Sequence, residues 1–353
     1  MASAENISLV LAERPRENII PNQTFKKEVK SAPTEADLKD GQVLVETLYL
    51  SIDPAMRGWL NDTRSYLPPV QIGEVMRSAG IVRVLASKSS KAKKGDIAHG
   101  YPGWQEIAIL SEEQIEPPFQ LPSDTKLQLT DLLGVLGSTG LTAYFGLLRV
   151  GEPKKTDTVV VSGAAGATGS VVGQIAKHVL GCKRVVGIAG GAEKCRWLKE
   201  ELGFDEAIDY KAPDFKEKFK AATPDYIDVY YDNVGGEVLE AAMNRANKFA
   251  RFVMCGAISQ YNSSDPRGPK NYFNVIAQRI KMQGFIVFDF LQDYGKARKE
   301  LAQWLEEGKI QRKQTVVRGG VEKSQDALCQ LFQGTNTGKM LVEVKSLDNA
   351  SKL

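Results

Sequence analysis

The sequence predicts an α/β protein in which a doubly wound parallel sheet is inserted into a β-rich domain. Three observations predict it. Strand-like apolar runs alternate with helical segments over about 150 residues, the pattern of a parallel sheet covered by helices. A glycine-rich turn follows the first of those runs, ending at Val161, and opens a helix. The residues before it carry short alternating strands punctuated by Pro, Gly and Ser, which suits a small barrel-like or sandwich-like body.

Each element has its own signal. Gln42 to Ser51 alternates apolar and polar residues as a half-buried strand does, and Ala79 to Leu85 repeats the pattern. Lys94-Gly95-Asp96 supplies a turn into a short strand over Asp96 to Ala98. Asp53-Pro54 reads as a helix start, with Arg57 one turn on; both charged residues are read as structural. Near Thr130 the texture changes, and Thr130 to Val150 is apolar with small residues at helical spacing. Thr158 to Val161 is a buried strand, followed by the glycine-rich turn and a helix through Leu180. Arg184 to Ile188, Ala207 to Tyr210, Tyr226 to Tyr231, Ala250 to Cys255 and Met282 to Phe288 continue the strands. Ala192 to Leu202 and Glu237 to Asn247 are helices between them. After a helix from Gly295 to Glu307 come polar strands and a last strand at Met340 to Val344. The predicted division is 1–130 for the β-rich domain, 131–304 for the sheet domain, and 305–353 for the return to the first domain with a polar tail.

Composition narrows the function classes. The chain has 353 residues, with Lys+Arg 46 against Asp+Glu 43, a formal charge of +3. That balance does not point to nucleic acid or to an anionic membrane as the main partner. No run of about 18 apolar residues suggests a transmembrane helix, and Met1 to Val10 lacks the pattern of a secretory signal. Cys182, Cys195, Cys255 and Cys329 form no C-x-x-C pair, and His99 and His178 are the only histidines, so no metal site is expected. Ser351-Lys352-Leu353 matches the peroxisomal address in a eukaryote; otherwise a cytoplasmic location is expected.

The turn after Val161 carries the first chemistry. The dinucleotide fingerprint is G-x-G-x-x-G between strand and helix, and Ala164-Ala165-Gly166-Ala167-Thr168-Gly169 stands in that frame with Ala164 for its first glycine. Gly166 lets the backbone approach a pyrophosphate, while the helix start supplies amides and a positive dipole end. An NAD site places an acid at the end of the second strand to hold the ribose 2′-hydroxyl. Here that stretch reads Ile188-Ala189-Gly190-Gly191, with Lys194 and Arg196 close behind, so NADP(H) is favoured.

Four further segments carry a family resemblance. Gly137-Ser-Thr-Gly-Leu-Thr-Ala-Tyr144, Ala165-Gly-Ala-Thr-Gly-Ser170, Asp232-Asn-Val-Gly-Gly236 and Cys255-Gly-Ala-Ile-Ser-Gln-Tyr261 resemble the medium-chain dehydrogenase/reductases. Within them the chain looks like the zinc-independent branch of leukotriene B4 12-hydroxydehydrogenase/15-oxoprostaglandin 13-reductases and plant alkenal double-bond reductases. Ser51-Ile-Asp-Pro-Ala-Met-Arg57 resembles that branch's S-x-D-P-x-M-R, with Ala55 where Tyr is common. The resemblance implies a GroES-like domain plus a Rossmann domain, a homodimer, and NADPH-dependent reduction of the C=C bond of α,β-unsaturated aldehydes and ketones. By motif match it places Gly166, Ala167, Thr168 and Gly169 at the pyrophosphate, Lys194 at the 2′-phosphate and Tyr210 near that end. It also places Asn233, Gly256, Ala257, Ile258 and Ser259 along the cofactor, Phe285 to Val287 near the nicotinamide, and Asn336 reaching in from the C-terminal segment. Thr142 is a further candidate near the nicotinamide.

Hydride delivered to the β-carbon of an enone leaves negative charge on the carbonyl oxygen. A donor aimed at that oxygen lowers the barrier, and the phenol of Tyr261 suits the role. Met56, Tyr66, Phe288 and Phe290 are candidates for an apolar substrate wall, with core packing as the alternative for each. The expected partner is a small conjugated carbonyl compound. Two other activities share these features: an NADPH:quinone reductase, and a low-turnover NADP(H)-binding sensor.

Overall fold

The structure of the chain is a computed structural model, and it describes residues 5–119, 121 and 123–347. Ser351-Lys352-Leu353 lies outside the described residues. The chain divides into two compact units. The first holds residues up to Leu133, Gln314–Asn336 and the segment from Met340; the second holds Gly134–Lys313 and Thr337–Lys339.

The first unit opens with β1 (Glu5–Leu11) and β2 (Phe25–Ser31), an antiparallel pair in register from Glu5 opposite Ser31 to Leu11 opposite Phe25. β3 (Gln42–Ile52), β4 (Gly80–Ser87), β5 (Ile97–Gly100) and β6 (Ile107–Ser111) follow. β3 is the hub, pairing antiparallel with both β4 and β6. Its apolar alternation puts Val43 and Val45 into a core with Val82, Val84, Ala98 and Leu110. Asp53 and Pro54 do begin a helix, a 3-10 turn over Pro54–Leu60. Arg57 is buried, and it donates to Pro15 O at 3.0 Å, Glu17 O at 2.9 Å and Asn61 Oδ1 at 2.6 Å. A buried guanidinium needs such acceptors, so this arginine tethers the loop before β2.

The second unit is the doubly wound sheet. It contains α1 (Ser138–Phe145), β7 (Thr158–Ser162), α2 (Ala167–Gln174), β8 (Arg184–Ala189), α3 (Ala192–Glu200) and β9 (Glu206–Asp209). Then come α4 (Phe215–Ala222), β10 (Ile227–Asp232), α5 (Gly236–Met243), β11 (Ala246–Met254), α6 (Phe273–Ala277), β12 (Lys281–Gly284) and α7 (Tyr294–Glu306). The six strands lie in the order β12-β11-β10-β7-β8-β9, all parallel. The order reverses between β7 and β10, and open sheets of this kind bind ligands beyond the carboxyl ends of the strands at such a point. β7 reads as a continuous apolar run because all five of its residues are buried. Helices cover the sheet through a core including Val160, Val186, Ile208, Phe219, Leu239 and Phe252. Each such side chain contributes roughly 1.5–3 kcal/mol on burial.

The chain returns to the first unit with β13 (Gln314–Arg318), α8 (Ser324–Gln333) and β14 (Lys339–Glu343), which pairs antiparallel with β3.

Two expectations are corrected here. The stretch read as polar strands contains helix α8, whose Ala327, Leu328 and Leu331 pack into the core of the first unit. Gly334 closes it in the left-handed conformation, at φ +66°. The sixth strand ends at Gly284, opposite Met254, the last residue of β11. Past that point the chain has no neighbour in the ladder, and it turns into the 3-10 helix Val287–Asp293, with Ile286 N donating to Asp289 Oδ2 at 3.2 Å.

Candidate functional site

The site is built where β7 and β10 end. Gly163 leaves β7 at φ +58°, a left-handed conformation that an L side chain resists. This is the tight turn that the fingerprint assigns to its first glycine. The turn residue therefore stands one position before Ala164, in a Gly163-x-x-Gly166-x-x-Gly169 arrangement. The signal was in the sequence, as a glycine directly after Ser162. A Cβ at Gly169 would overlap the carbonyl oxygen of Gly163, so the third glycine holds helix and turn together.

Gly166 is the N-cap of α2, and no side chain caps that end. The first amides, from Ala167, Thr168 and Gly169, thus have no partner within the helix. A helix start left in that state, beside close-packed backbone, can hold an anion such as a pyrophosphate. The neighbouring 337–339 segment braces this turn: Gly338 N donates to Ala165 O at 2.8 Å, and Gly338 bridges Gly166. Asn336 immediately precedes the segment and is buried.

The far end of the crevice is cationic. β8 ends at Ala189, and Gly190-Gly191 leads into α3, whose first turn carries Lys194. Burial, and then the facing Lys211, hold the Lys194 ammonium below its ordinary range. Tyr210 and Lys211 lie close over Gly190, where a Cβ would fall 2.8 Å from the tyrosine ring and 3.1 Å from Lys211 Cε. Asp209, the last residue of β9, is engaged, with its Oδ1 accepting from Gly191 N and from Lys211 N, both at 2.9 Å, and Glu193 in the first turn of α3 partly offsets the lowering of Lys194. Lys194, with the Lys211 ammonium beside it, offers positive charge to a dianionic phosphate, and a bound dianion offsets the burial and repulsion that lower Lys194. A ribose 2′-phosphate has that charge, so the cradle and the lysine pair fit a phosphorylated dinucleotide.

Opposite the glycine-rich turn, β10 ends at Asp232 and passes into Asn233-Val234-Gly235-Gly236. Asn233 Nδ2 donates to Ser162 O at 2.7 Å, tying the two strand ends together. Burial pushes the Asp232 carboxyl above its usual range, against the pull of its donors Gly235 N, Val234 N, Ser162 Oγ and Tyr230 Oη. The loop after β11 docks on this turn: Ile258 N donates to Asn233 O at 3.2 Å, and Ser259 N to Val234 O at 3.1 Å. Gly256, Ala257, Ile258 and Ser259 are thereby set beside Asn233. Tyr261 folds back over its own loop, its Oη accepting from Ala257 N at 3.1 Å. An accepted hydrogen bond polarises a hydroxyl and makes it a better donor.

A third group backs the same strand ends. Phe285 meets Tyr231 edge-on at 6.5 Å, and Tyr231 Oη donates to Thr142 O at 2.8 Å. Gly146 makes this approach possible, since a Cβ there would lie 2.5 Å from both Phe285 Cζ and Tyr231 Oη. Phe145 and Phe290 stack at 4.7 Å with an angle of 6° between rings, so Phe290 packs against α1. Val287 is buried, whereas Phe288 is 40% exposed. The remaining wall candidates lie in the first unit. Met56 is 1% exposed and packs in the core with Leu50, Leu60 and Met340, so its side chain serves packing. Tyr66 is 45% exposed and its Oη accepts from Trp59 Nε1 at 3.0 Å.

Among the described residues, no three or more His, Cys, Asp or Glu side chains gather as metal ligands. His99 Nδ1 lies 3.2 Å from Glu116 Oε1 and its ring packs edge-on against Tyr101. Burial pushes the thiols up, to about 11 for Cys182 and Cys195 and to about 12 for Cys255. Among the described residues no helix is long and apolar enough to cross a membrane.

The chain is similar over most of its length to known oxidoreductases. Residues 8–117 match a family model described as the N-terminal domain of oxidoreductase, and residues 167–306 one described as zinc-binding dehydrogenase. The chain is 41% identical to an NADPH-dependent curcumin reductase of Escherichia coli, over 96% of this chain and 97% of that protein. It is 40% identical to an NADP(+)-dependent 2-alkenal reductase of Nicotiana tabacum, over 90% of this chain and 92% of that one. Among solved structures, CurA of Vibrio vulnificus in complex with NADPH superposes with a TM-score of 0.87 at 42% identity, covering 96% of this chain and 99% of that chain.

Proposed function

The chain belongs to the zinc-independent branch of the medium-chain dehydrogenase/reductases, and on that premise we propose that it uses NADPH to reduce the C=C bond of α,β-unsaturated aldehydes and ketones, leaving the carbonyl in place. The crevice at the sheet's switch point carries the reading: a glycine cradle at one end, the Lys194–Lys211 pair at the other, and the Tyr261 phenol on the loop beside Asn233. Bound NADPH supplies the hydride.

The residues of the chain do the rest. The first amides of α2 hold the pyrophosphate, and Lys194 with Tyr210 selects the 2′-phosphate. Gly256 to Ser259, Phe285 and Val287 hold the nicotinamide end in place, and holding two reactants together supplies a large share of such accelerations. Tyr261 donates its hydroxyl hydrogen bond to the substrate carbonyl oxygen, where charge grows as the C–H bond forms, and a proton from water then reaches the α-carbon of the enolate to give the saturated carbonyl. The β-carbon is electrophilic only when conjugated to that carbonyl, so a saturated ketone is not a substrate. The test is NADPH oxidation followed at 340 nm with a panel of enones, alkenals, quinones and saturated aldehydes. Enone- and alkenal-dependent oxidation is expected; oxidation with saturated aldehydes alone, or with no acceptor, overturns the reading.

A second copy of the chain is the proposed partner. β12 is an edge strand of the six-stranded sheet. Close to it Phe249 is 68% exposed and Phe273 66%, with Tyr272 and Ile276 also exposed. An open strand edge beside apolar side chains is a surface that pairing covers. Light scattering on the eluting protein is expected to give twice the 38.7 kDa of the chain; a monomer at micromolar concentration removes the proposal.

A further inference from the structure

Ser162 and Asp232 form a crossbar over the strand ends at which the sheet order reverses. Ser162 is the last residue of β7 and Asp232 the last of β10, its neighbour in the sheet. Ser162 Oγ donates to Asp232 Oδ1 at 2.9 Å and accepts from Asn233 N at 2.9 Å. The same Oδ1 accepts from Tyr230 Oη at 3.1 Å, Val234 N at 3.1 Å and Gly235 N at 3.0 Å. Both side chains are fully buried, and Asp232 Oδ2 has no hydrogen-bond partner among the described residues.

A buried carboxyl with one oxygen unserved is costly. What offsets the cost here is local: two of its donors are consecutive backbone amides of the turn that follows β10, and the others sit on the two strand ends. Asn233, whose backbone carbonyl receives the loop of Ile258, is clamped between them through Ser162. We propose that Asp232, held by Ser162, is a positioning residue for cofactor binding: it shapes the turn from Asn233 to Gly236 and, through it, seats the Gly256–Ser259 loop. The proposal rests on the NADPH reductase reading. Asp232 touches neither hydride donor nor acceptor in this role, and it acts only through the backbone it organises.

Steady-state kinetics with NADPH as the varied substrate and a simple enone held saturating test it in three variants of the full chain. Asp232→Ala removes the shared acceptor and is expected to raise KM for NADPH about 30-fold or more, with kcat within about threefold. Asp232→Asn keeps a carbonyl oxygen for the same donors and is expected to restore KM to within about threefold of wild type. Ser162→Ala removes one donor and is expected to raise KM about 10-fold. A folded Asp232→Ala with wild-type KM overturns the proposal, as does an Asn variant as impaired as the Ala one. If Asp232→Ala fails to fold, Ser162→Ala decides, and an unchanged KM there overturns it. A wild-type chain that does not bind NADPH overturns the functional reading and the proposal with it; wild-type binding with unmoved variants overturns the proposal alone.

Discussion

Replacing Tyr261 by Phe lowers kcat for enone reduction about 10- to 100-fold, while KM for NADPH stays within about threefold. The phenol ring and its packing survive the change; only the hydroxyl is lost. That hydroxyl accepts from Ala257 N–H, and the amide is on a half-exposed loop, where water replaces the lost acceptor at small cost. The substrate carbonyl oxygen has no such substitute once water is excluded. Its charge is larger in the transition state than in the ground state, so the effect falls on kcat rather than on binding. The split between the two constants is the informative reading. A variant with unchanged kcat shows that Tyr261 only packs, and one with raised KM for NADPH and unchanged kcat shows that it only seats the loop.

Lys194→Gln weakens NADPH about 10- to 100-fold and leaves NADH nearly untouched, because a charge-assisted contact to a phosphate is lost and NADH has no phosphate there. The same site predicts a pH dependence. Before the cofactor binds, burial and Lys211 hold the Lys194 ammonium below its ordinary range, and a bound dianion raises it again. NADPH affinity is therefore full while Lys194 is protonated in the free protein, and it falls as pH rises through that depressed value. The fall begins at lower pH than for an ordinary lysine, and it is absent in Lys194→Gln. Titration of both cofactors against both proteins across pH 7 to about 10 checks this. Equal losses for NADPH and NADH would assign Lys194 to the fold of α3 instead.

The inner strands β7, β8 and β10 are legible in the sequence because they are buried on both faces. Thr158 to Ser162 carries three consecutive valines and is buried throughout, and Ile227 to Asp232 is buried at every position but Asp228. Helices α4, α6 and α8 were not read from the sequence, and α4 and α8 were hidden for a physical reason too. α4 and α8 are short, with apolar positions such as Phe215, Phe219 and Ala222, or Leu328 and Leu331, diluted among Lys, Gln and Asp. Tertiary burial, more than propensity, holds such segments. At the site, the glycine turn was visible, yet its register was read one residue late because the fingerprint spacing was matched before the backbone need at Gly163 was considered. The Ser162–Asp232 crossbar could not be read at all: its partners are 70 residues apart, and only the pairing of β7 with β10 brings them together. The stack of Phe145 on Phe290 is hidden in the same way.

The central claim is hydride delivery to a conjugated carbon with the carbonyl retained. Its most direct test is the product formed from a simple enone and NADPH carrying deuterium at the transferable position, identified by mass and NMR. The account predicts a saturated ketone with one deuterium on the β-carbon. An allylic alcohol with deuterium on the carbonyl carbon would contradict it.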